Sequence, residues 1–210
     1  TVPAVDGDVV AEVGFILEGF SRSYARCLGN LYLGTWRVGG AARYSIDFSK
    51  QTAAFGSITP FTKDCGAWEI QGNGVHAISH SRSMLLSGNP TSENYRLCAS
   101  MRPLYGNGHF LGFRLQGREK GYWVGFDQEG SCSLYRGNFE TERIATYPFA
   151  WKSGELYQVC VFAQGPSIKI SIDGITLFTE KDPVFTAGMF GFLRQGIGRT
   201  WFGDLSVEEL

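Results

Sequence analysis

Alternation of apolar and polar residues with a period of two runs through most of this 210-residue sequence. In SIKISID, residues 167–173, the three isoleucines point to one side of an extended chain, and Lys169, Ser171 and Asp173 point to the other. Asp173-Gly174 then supplies a hairpin turn, and ITLFTE returns. A helix cannot keep these residues on one face, so the pattern constrains the chain to β-structure.

Turn-forming residues separate the alternating segments about every 8–12 residues, as in antiparallel sandwiches and barrels. Examples are GNG at 72–74, GNP at 88–90 and GNG at 106–108. Glycine, at 28 residues, and an aromatic content of 14% fit many turns and strands. We therefore predict an all-β antiparallel fold, with strands at Glu69–Ile70, Val75–Ser79, Asn94–Arg102, Phe110–Gln116, Tyr122–Asp127, Ser133–Arg136, Ile144–Tyr147, 156–163, Ser167–Asp173, 175–180, Met189–Leu193 and Thr200–Glu208.

The beginning of the chain lacks this regular turn spacing. We expect residues 1–52 to form an N-terminal extension or extra strands packed on the sandwich, and residues 53–210 to form the sandwich itself. Val9–Phe20 favours a strand over a helix because of its glycines and β-branched residues. The sequence begins with Thr1, which predicts a processed chain or a fragment of a larger protein.

The charge balance argues against two classes of partner. The formal net charge is −1 and the pI is about 6.3, so no basic surface for nucleic acid is expected. No apolar run approaches the ~18 residues that a membrane-spanning helix needs. We predict no nucleic-acid partner and no membrane span.

Five cysteines are present, and none has the close spacing of a zinc motif. Cys98 and Cys160 lie in strand-like segments, where a free cysteine behaves as a small apolar residue. The favoured interpretation is five reduced, mostly buried thiols. The alternative is one or two disulfides in an exported protein.

The order of motifs after about Phe55 resembles the concanavalin A-like lectin/glucanase superfamily. The motifs are GAWEIQGNGVHA, SENYRLCASMRP, GYWVGFDQEGSCSLYRG and the closing WFGDLSVEEL. Within that superfamily they are similar to laminin-G-like domains, 3-keto-disaccharide hydrolase-type domains and fructan-binding modules. The resemblance implies a jelly-roll β-sandwich. It leaves function open, because this fold hosts lectins, binding modules, hydrolases and lyases.

One predicted hairpin, residues 110–127, carries an unusual set of polar and aromatic residues. If Leu111, Phe113 and Leu115 enter the core, alternation places the remaining side chains on the opposite, outer face. Gly112 and Gly125 would leave room above that face for a ring. The predicted ligand-binding residues on this surface are Arg114, Gln116, Trp123 and Asp127 from the hairpin, Tyr135 from the next strand and Arg96 from an earlier strand.

Aromatic rings beside planar polar side chains suit sugar binding, so we predict carbohydrate binding on the concave face of a jelly roll. The chain would act as a module or accessory domain of a glycan-processing protein, with an oligo- or polysaccharide partner and a fused or neighbouring catalytic domain. This role favours an extracellular or periplasmic location. Alternatively, the face is covered by other residues, Arg and Asp forming a surface salt bridge. The rival functions are a glycan-active enzyme of the same fold and a laminin-G-like protein-interaction domain.

No catalytic motif is recognisable in the sequence. The residues considered for catalysis are His76, His109 and Glu93, and Glu140–Glu142 is more consistent with a solvated turn. Sugar-binding jelly rolls often carry a structural calcium ion, which here implies Asp204 as a ligand with Asp6 or Asp8. Alternatively, Asp204 only caps a turn.

Overall fold

The computed structural model describes residues 43–50, 58, 61–117, 120–127, 130–138 and 140–210. The predicted strand Val9–Phe20 and the acids Asp6 and Asp8 lie outside these residues. Within the described part of the chain, the secondary structure is almost entirely β-strand, and no helix there is long and apolar enough to cross a membrane.

The described residues form two antiparallel sheets. In chain order the strands are β1 Arg43–Ile46, β2 Thr62–Cys65, β3 Ala67–Gln71, β4 Gly74–Ser79, β5 Arg82–Ser87, β6 Tyr95–Tyr105, β7 His109–Leu115, β8 Lys120–Phe126, β9 Ser131–Asn138, β10 Glu140–Pro148, β11 Tyr157–Gln164, β12 Ser167–Ile172, β13 Ile175–Lys181, β14 Met189–Gln195 and β15 Gly198–Glu209. The first sheet has the order β13-β12-β11-β6-β15-β4-β3, with β1 also paired to β15. The second sheet has the order β10-β9-β8-β7-β14-β5-β2.

The prediction of an all-β antiparallel jelly-roll sandwich is confirmed. Each predicted strand over residues 69–208 is present, but β2 and β5 were not predicted. In β5, Met84, Leu85 and Leu86 are consecutive and all buried, so the strand shows no alternation. Its two faces are apolar because Leu85 enters the main core while Met84 and Leu86 join a second cluster.

The main core lies between the two sheets and is rich in aromatic rings. Phe192 of the second sheet stacks on Phe202 of the first with ring centroids 4.4 Å apart. At another point Phe126 of the second sheet meets Tyr157 of the first edge to face at 5.0 Å. Such ring pairs contribute roughly 0.5–1.5 kcal/mol beyond the area they bury.

A second apolar cluster lies on the outer face of the second sheet, which faces away from the main core. Its buried members are Met84, Leu86, Phe110, Leu115, Trp123 and Leu193, and Cys65, Tyr135 and Met189 pack against them. The outer face of this sheet is therefore a packed apolar surface as well.

A disulfide joins Cys98 of β6 to Cys160 of β11 on the outer face of the first sheet. The two residues are directly opposed in the antiparallel register, with Cα atoms 4.1 Å apart. The expectation that all five cysteines are reduced was therefore wrong for this pair. Among the described residues, Cys65 and Cys132 are free thiols.

Candidate functional site

A cavity of about 630 Å³ opens on the outer face of the second sheet. Its floor comes from β7, β8, β9 and β14, and its walls come from the β6–β7 and β14–β15 turns and from β10. The described residues that line it are Arg82, Gly106, Asn107, Gly108, Phe110, Trp123, Asp127, Tyr135, Thr141, Arg143, Leu193, Gln195, Gly196 and Ile197.

Aromatic residues form the floor of the cavity. Trp123 is only 3% exposed, and the Arg82 guanidinium lies over its ring, 5.8 Å from the centroid. Phe110 and Tyr135 meet edge to face at 5.5 Å. Among the described residues, the buried indole nitrogen of Trp123 has no hydrogen-bond partner. A polar ligand atom that reached this nitrogen would satisfy a donor that is costly to leave unpaired.

Gly125 has a different role from the one its small size suggested. A Cβ at Gly125 would lie 1.9 Å from the carbonyl oxygen of His109 on the neighbouring strand. A Cβ at Gly112 would lie 2.8 Å from the side chain of Leu115. The prediction that these glycines leave open space for a ligand ring was wrong, because neighbouring protein atoms already occupy that space.

A hydroxyl cluster fixes the carboxylate of Asp127 at the edge of the cavity. Ser131 and Ser133 donate hydrogen bonds to it at 2.7 and 2.5 Å, and Tyr135 donates from its phenol at 3.1 Å. The three donors are alternate residues of β9, so the pleat places them on one face beside the end of β8. Burial and the Asp127 charge raise the pKa of Tyr135, which keeps the phenol protonated and donating.

Arg194 holds the two turns that form one wall of the cavity. This fully buried side chain donates to the carbonyl oxygens of Gly108 at 3.2 Å, Tyr105 at 3.3 Å and Ile197 at 2.6 Å, and also to those of Asn107 and Gln195. Burial lowers the pKa of Arg194 to about 10, which still leaves it charged at neutral pH. One guanidinium therefore ties the β6–β7 turn to the β14–β15 turn.

His109 secures the β6–β7 turn from the interior of the sandwich. Its Nε2 donates to the carbonyl oxygen of Gly106 at 2.8 Å, so its Nδ1 accepts from the hydroxyl of Thr200 at 2.6 Å. Burial lowers the pKa of His109 to about 4, so the ring is neutral at pH 7. Both ring nitrogens are committed to protein partners, which suits a structural role.

The structure brings together three of the six predicted ligand-binding residues, namely Trp123, Asp127 and Tyr135. Arg96 lies on β6 of the first sheet, over the ring of Phe162, and so is on a different surface. The exposed Gln116 donates to the carbonyl oxygen of Ala187 at 3.2 Å, outside the cavity lining. The prediction that Arg96 shares a surface with Trp123 was wrong, and Gln116 does not line the cavity.

Arg114 is also misplaced by simple alternation, because β7 contains a bulge. From Gly112 to Leu115 the chain of β7 advances three positions while β14 advances two, and Arg114 adopts a left-handed conformation with φ of 49°. The bulge turns Arg114 into the interior, where it is fully buried and donates to the carbonyl oxygens of Glu93 and Phe185. It also turns Leu115, predicted to enter the main core, to the outer cluster.

The remaining candidates are dispersed over the molecule. His76 lies on the outer face of the first sheet, Glu93 is exposed before β6, and neither they nor His109 line the cavity. Asp204 is exposed, has φ of 45° at an irregularity of β15, and accepts a hydrogen bond from Ser100. Among the described residues, no three His, Cys, Asp or Glu side chains form a metal-binding group.

Several residues that line or support the cavity had no recognisable signal in the sequence. Arg82 and Arg194 lie in segments whose positions depend on pairing between distant strands, β5 with β14. Ser131 did have a signal, because SCSLY places hydroxyl groups at every second position of β9.

Comparison with known proteins gives structural neighbours only. No family model matches the sequence, and no curated protein matches it. A carbohydrate-binding module, CBM66 from Bacillus subtilis, superposes with a TM-score of 0.67 at 22% identity, over 72% of this chain and 96% of that one. A protein of unknown function with a galectin-like fold from Bacillus subtilis gives 0.61 at 12% identity, over 83% and 98% of the two chains.

A third neighbour is domain 4 of AbnA, an extracellular arabinanase from Geobacillus stearothermophilus, in complex with arabinotriose. It superposes with a TM-score of 0.53 at 14% identity, over 80% of this chain and 93% of that one. A sialidase also matches, with a TM-score of 0.61 at 12% identity, but only 18% of its length is covered. At these identities the likeness establishes the fold.

Proposed function

We propose that this domain binds carbohydrate in the cavity on the outer face of the second sheet, and that this face is the concave binding face of the jelly roll. The observation that carries the proposal is the floor of the cavity. Trp123 on this floor lines the same cavity as the fixed carboxylate of Asp127 at its edge. Tyr135 connects the two, because it is the register partner of Trp123 and donates a hydrogen bond to Asp127. Sugar rings have an apolar face that packs on aromatic rings and an edge of hydroxyl groups that needs polar partners.

The polar groups of the cavity are held in place before any ligand arrives. Three hydroxyl bonds fix Asp127, and Tyr135 commits its proton to that carboxylate. The phenol oxygen of Tyr135 therefore offers its lone pairs, and we expect it to accept a hydrogen bond from a sugar hydroxyl. Pre-organised groups of this kind reduce the entropic cost of binding.

Charged groups at the rim add specificity. Arg82 lies over Trp123, and the exposed Arg143 lines the opposite side from β10. Guanidinium groups donate pairs of hydrogen bonds in a fixed geometry, which suits neighbouring ring or hydroxyl oxygens. We propose Trp123, Asp127, Tyr135, Arg82 and Arg143 as the ligand contacts.

The fold likeness supports the same class of ligand. One neighbour is named a carbohydrate-binding module, and another was solved in complex with arabinotriose. We propose that this chain likewise serves as a binding module or accessory domain of a glycan-processing protein. A hydrolytic role would need a second carboxyl group near Asp127. Asp127 is the one acid among the described residues that line the cavity.

The test is a binding assay on the whole chain with a panel of mono- and oligosaccharides, arabinotriose included. Binding is followed by tryptophan fluorescence and isothermal titration calorimetry, and every hit is analysed for products. We expect binding without product release. A panel with no response would contradict the proposal and favour a protein partner, and product release would favour the enzyme.

Matched variants locate the site. Asp127→Asn keeps the shape of the side chain but removes its charge, and Tyr135→Phe removes one hydroxyl, so we expect each to weaken binding about tenfold. Arg96→Ala and Gln116→Ala are controls, because both residues lie away from the cavity. If the controls weaken binding and the cavity variants do not, the site is elsewhere.

A further inference from the structure

The outer face of the first sheet carries a second set of aromatic and cationic side chains. The register pairs Arg199 of β15 with Tyr105 of β6, and Trp201 of β15 with Arg102 of β6. Residues two apart on a strand share a face about 7 Å apart, and neighbouring strands lie about 4.8 Å apart. Arg199 and Trp201 are two apart on β15, whereas Arg102 and Tyr105 are three apart on β6, where a register shift between Arg199 and Thr200 brings Tyr105 opposite Arg199. Directly paired residues share a face, so each arginine lies beside an aromatic residue in what we call the arginine–aromatic patch: Arg102, Tyr105, Arg199 and Trp201.

Trp201 supports Arg102 within this patch. Beneath the indole, Gly74 of β4 pairs with Gly203 of β15. A Cβ on Gly74 would lie 2.2 Å from the ring, and a Cβ on Gly203 would lie 2.4 Å from it. The ring is thus seated directly on the sheet, and the Arg102 guanidinium lies over it, 5.5 Å from the centroid. A cation stacked on a rigid indole loses little freedom when it binds an anion.

The hydrogen-bonding capacity of the patch is incompletely used. Among the described residues, Arg102 forms no ion pair, and the buried Nε atoms of Arg102 and Arg199 have no hydrogen-bond partner. Arg199 has one distant carboxylate partner, the exposed Glu69, at 3.5 Å. The Nε atoms of Arg82 and Arg194 are also without a partner among the described residues, so the stronger observation is that Arg102 has neither a hydrogen bond nor an ion pair there and keeps its donors for an acceptor.

His76 lies beside the patch and is affected by its positive charge. It is the register partner of both Trp201 and Glu69, and it is 9% exposed with its Nδ1 atom unpartnered among the described residues. Burial, and then the nearby charge of Arg199, lower the pKa of His76. His76 is therefore neutral at pH 7. Because Arg102 and Arg199 carry two positive charges and Glu69 one negative charge, these four side chains have a net positive charge.

We propose that the arginine–aromatic patch is a second glycan-binding site, which takes a sugar unit carrying an acidic group. Arg102 and Arg199 bind the acidic oxygens, and Tyr105, which is 67% exposed, packs against the apolar face of the ring. Carboxylate and sulfate present the same acceptor chemistry to a guanidinium. The site uses residues entirely different from those of the cavity, so it does not depend on the cavity binding sugar.

The two sites flank the same turn. Tyr105 ends β6 on the patch, and the next three residues, 106–108, line the cavity. A glycan with acidic units is therefore offered two contacts at one end of the sandwich, and linking two contacts raises the overall affinity without new interactions.

The experiment titrates the whole chain by calorimetry with dextran, dextran sulfate of the same length and oligogalacturonate. We expect at least one acidic glycan to bind at least about tenfold more tightly than dextran, and to weaken as salt rises from about 0.05 to 0.5 M. Sulfate and carboxylate sources are separated by which of the two acidic probes binds. Equal affinities for dextran and both acidic probes would overturn the proposal.

Variants separate specific recognition from general charge. Arg102→Gln is expected to weaken acidic-glycan binding about tenfold or more. Arg102→Lys should weaken it less, because lysine keeps the positive charge but lacks the paired N–H donors of the guanidinium group. Arg96→Gln is the matched control, since Arg96 lies on the same strand about 20 Å away and is also stacked on an aromatic ring. Equal losses in Arg96→Gln and Arg102→Gln would reduce the effect to net charge and refute the site.

Failure of the second site can be distinguished from failure of sugar binding in the cavity. With acidic sugars of one or two units, too short to reach both sites, Asp127→Asn should leave the Arg102-dependent binding unchanged, and with neutral sugars Arg102→Gln should leave binding in the cavity unchanged. If acidic glycans bind through Arg102 while the cavity responds to no sugar, only the proposed function fails. If sugars bind in the cavity and Arg102→Gln changes nothing, only the second site fails.

Discussion

Removing the disulfide should lower the stability of the domain by a large, calculable amount. Cys98 and Cys160 are 62 residues apart in the sequence, so the cross-link closes a long loop in the unfolded chain. In the chain-entropy treatment such a loop costs the unfolded state about 14 cal/mol/K, or about 4 kcal/mol at 25 °C. We expect the variant with both Cys98→Ala and Cys160→Ala to lose about 2–4 kcal/mol of unfolding free energy.

The assay is urea denaturation of the oxidised protein, the thiol-reduced protein and the double variant. Reduction and substitution should give the same loss, and both should increase the denaturant m-value as the unfolded chain expands. Cys65→Ala is the control, because Cys65 is a free thiol and its removal leaves the cross-link intact. Sugar binding in the cavity should survive reduction, since the disulfide lies on the other sheet.

Two results would refute this reasoning. Alkylation and mass analysis of the oxidised protein under denaturing conditions should leave Cys98 and Cys160 unmodified, and labelling of both would show that the bond is absent. If the bond is present but reduction leaves the unfolding free energy unchanged, loop closure does not stabilise this fold.

Three further predictions concern the frame of the cavity. Arg194→Met should cost roughly 3 kcal/mol or more, because five carbonyl oxygens each lose a hydrogen bond, and urea denaturation with calorimetry should show both lower stability and weaker sugar binding. The pKa of His109 is about 4 in the folded protein and 6.5 in the unfolded chain. The unfolding free energy should therefore fall by roughly 3 kcal/mol as the pH falls from 6.5 to 4, and His109→Gln should reduce this pH dependence. Gly125→Ala should destabilise by roughly 1–3 kcal/mol, measured by thermal unfolding, because its Cβ would meet a backbone oxygen; an unchanged melting temperature would contradict the close strand approach.

The sequence alone was sufficient for the fold class and for most strands. Period-two alternation and regular turns are local properties, and a sheet is the structure that satisfies them. The SIKISID segment is found as β12, followed by the hairpin turn at Asp173-Gly174. The placement of Trp123, Asp127 and Tyr135 on one outer face also followed from alternation, because β8 and β9 pair without a register shift.

The sequence was insufficient where one residue interrupts the pleat. The bulge in β7 exchanges the faces of Arg114 and Leu115, and no local pattern marks it, because its cause is the pairing with β14 far along the chain. The same limit applies to β5, whose two buried faces remove the alternation. It also applies to Cys98 and Cys160, each ordinary in its own strand.

The sequence therefore determined which segments are strands and which side chains share a face within a hairpin. The tertiary structure decided which strands are neighbours, and hence that Arg96 lies on the opposite sheet from Trp123. It also decided that Arg82 lines the cavity and that Arg194 ties together the two turns of its wall. The physical reason is that alternation is set by the backbone of each strand, whereas sheet order is set by how distant apolar faces bury one another, and many sequence patterns are compatible with the same burial.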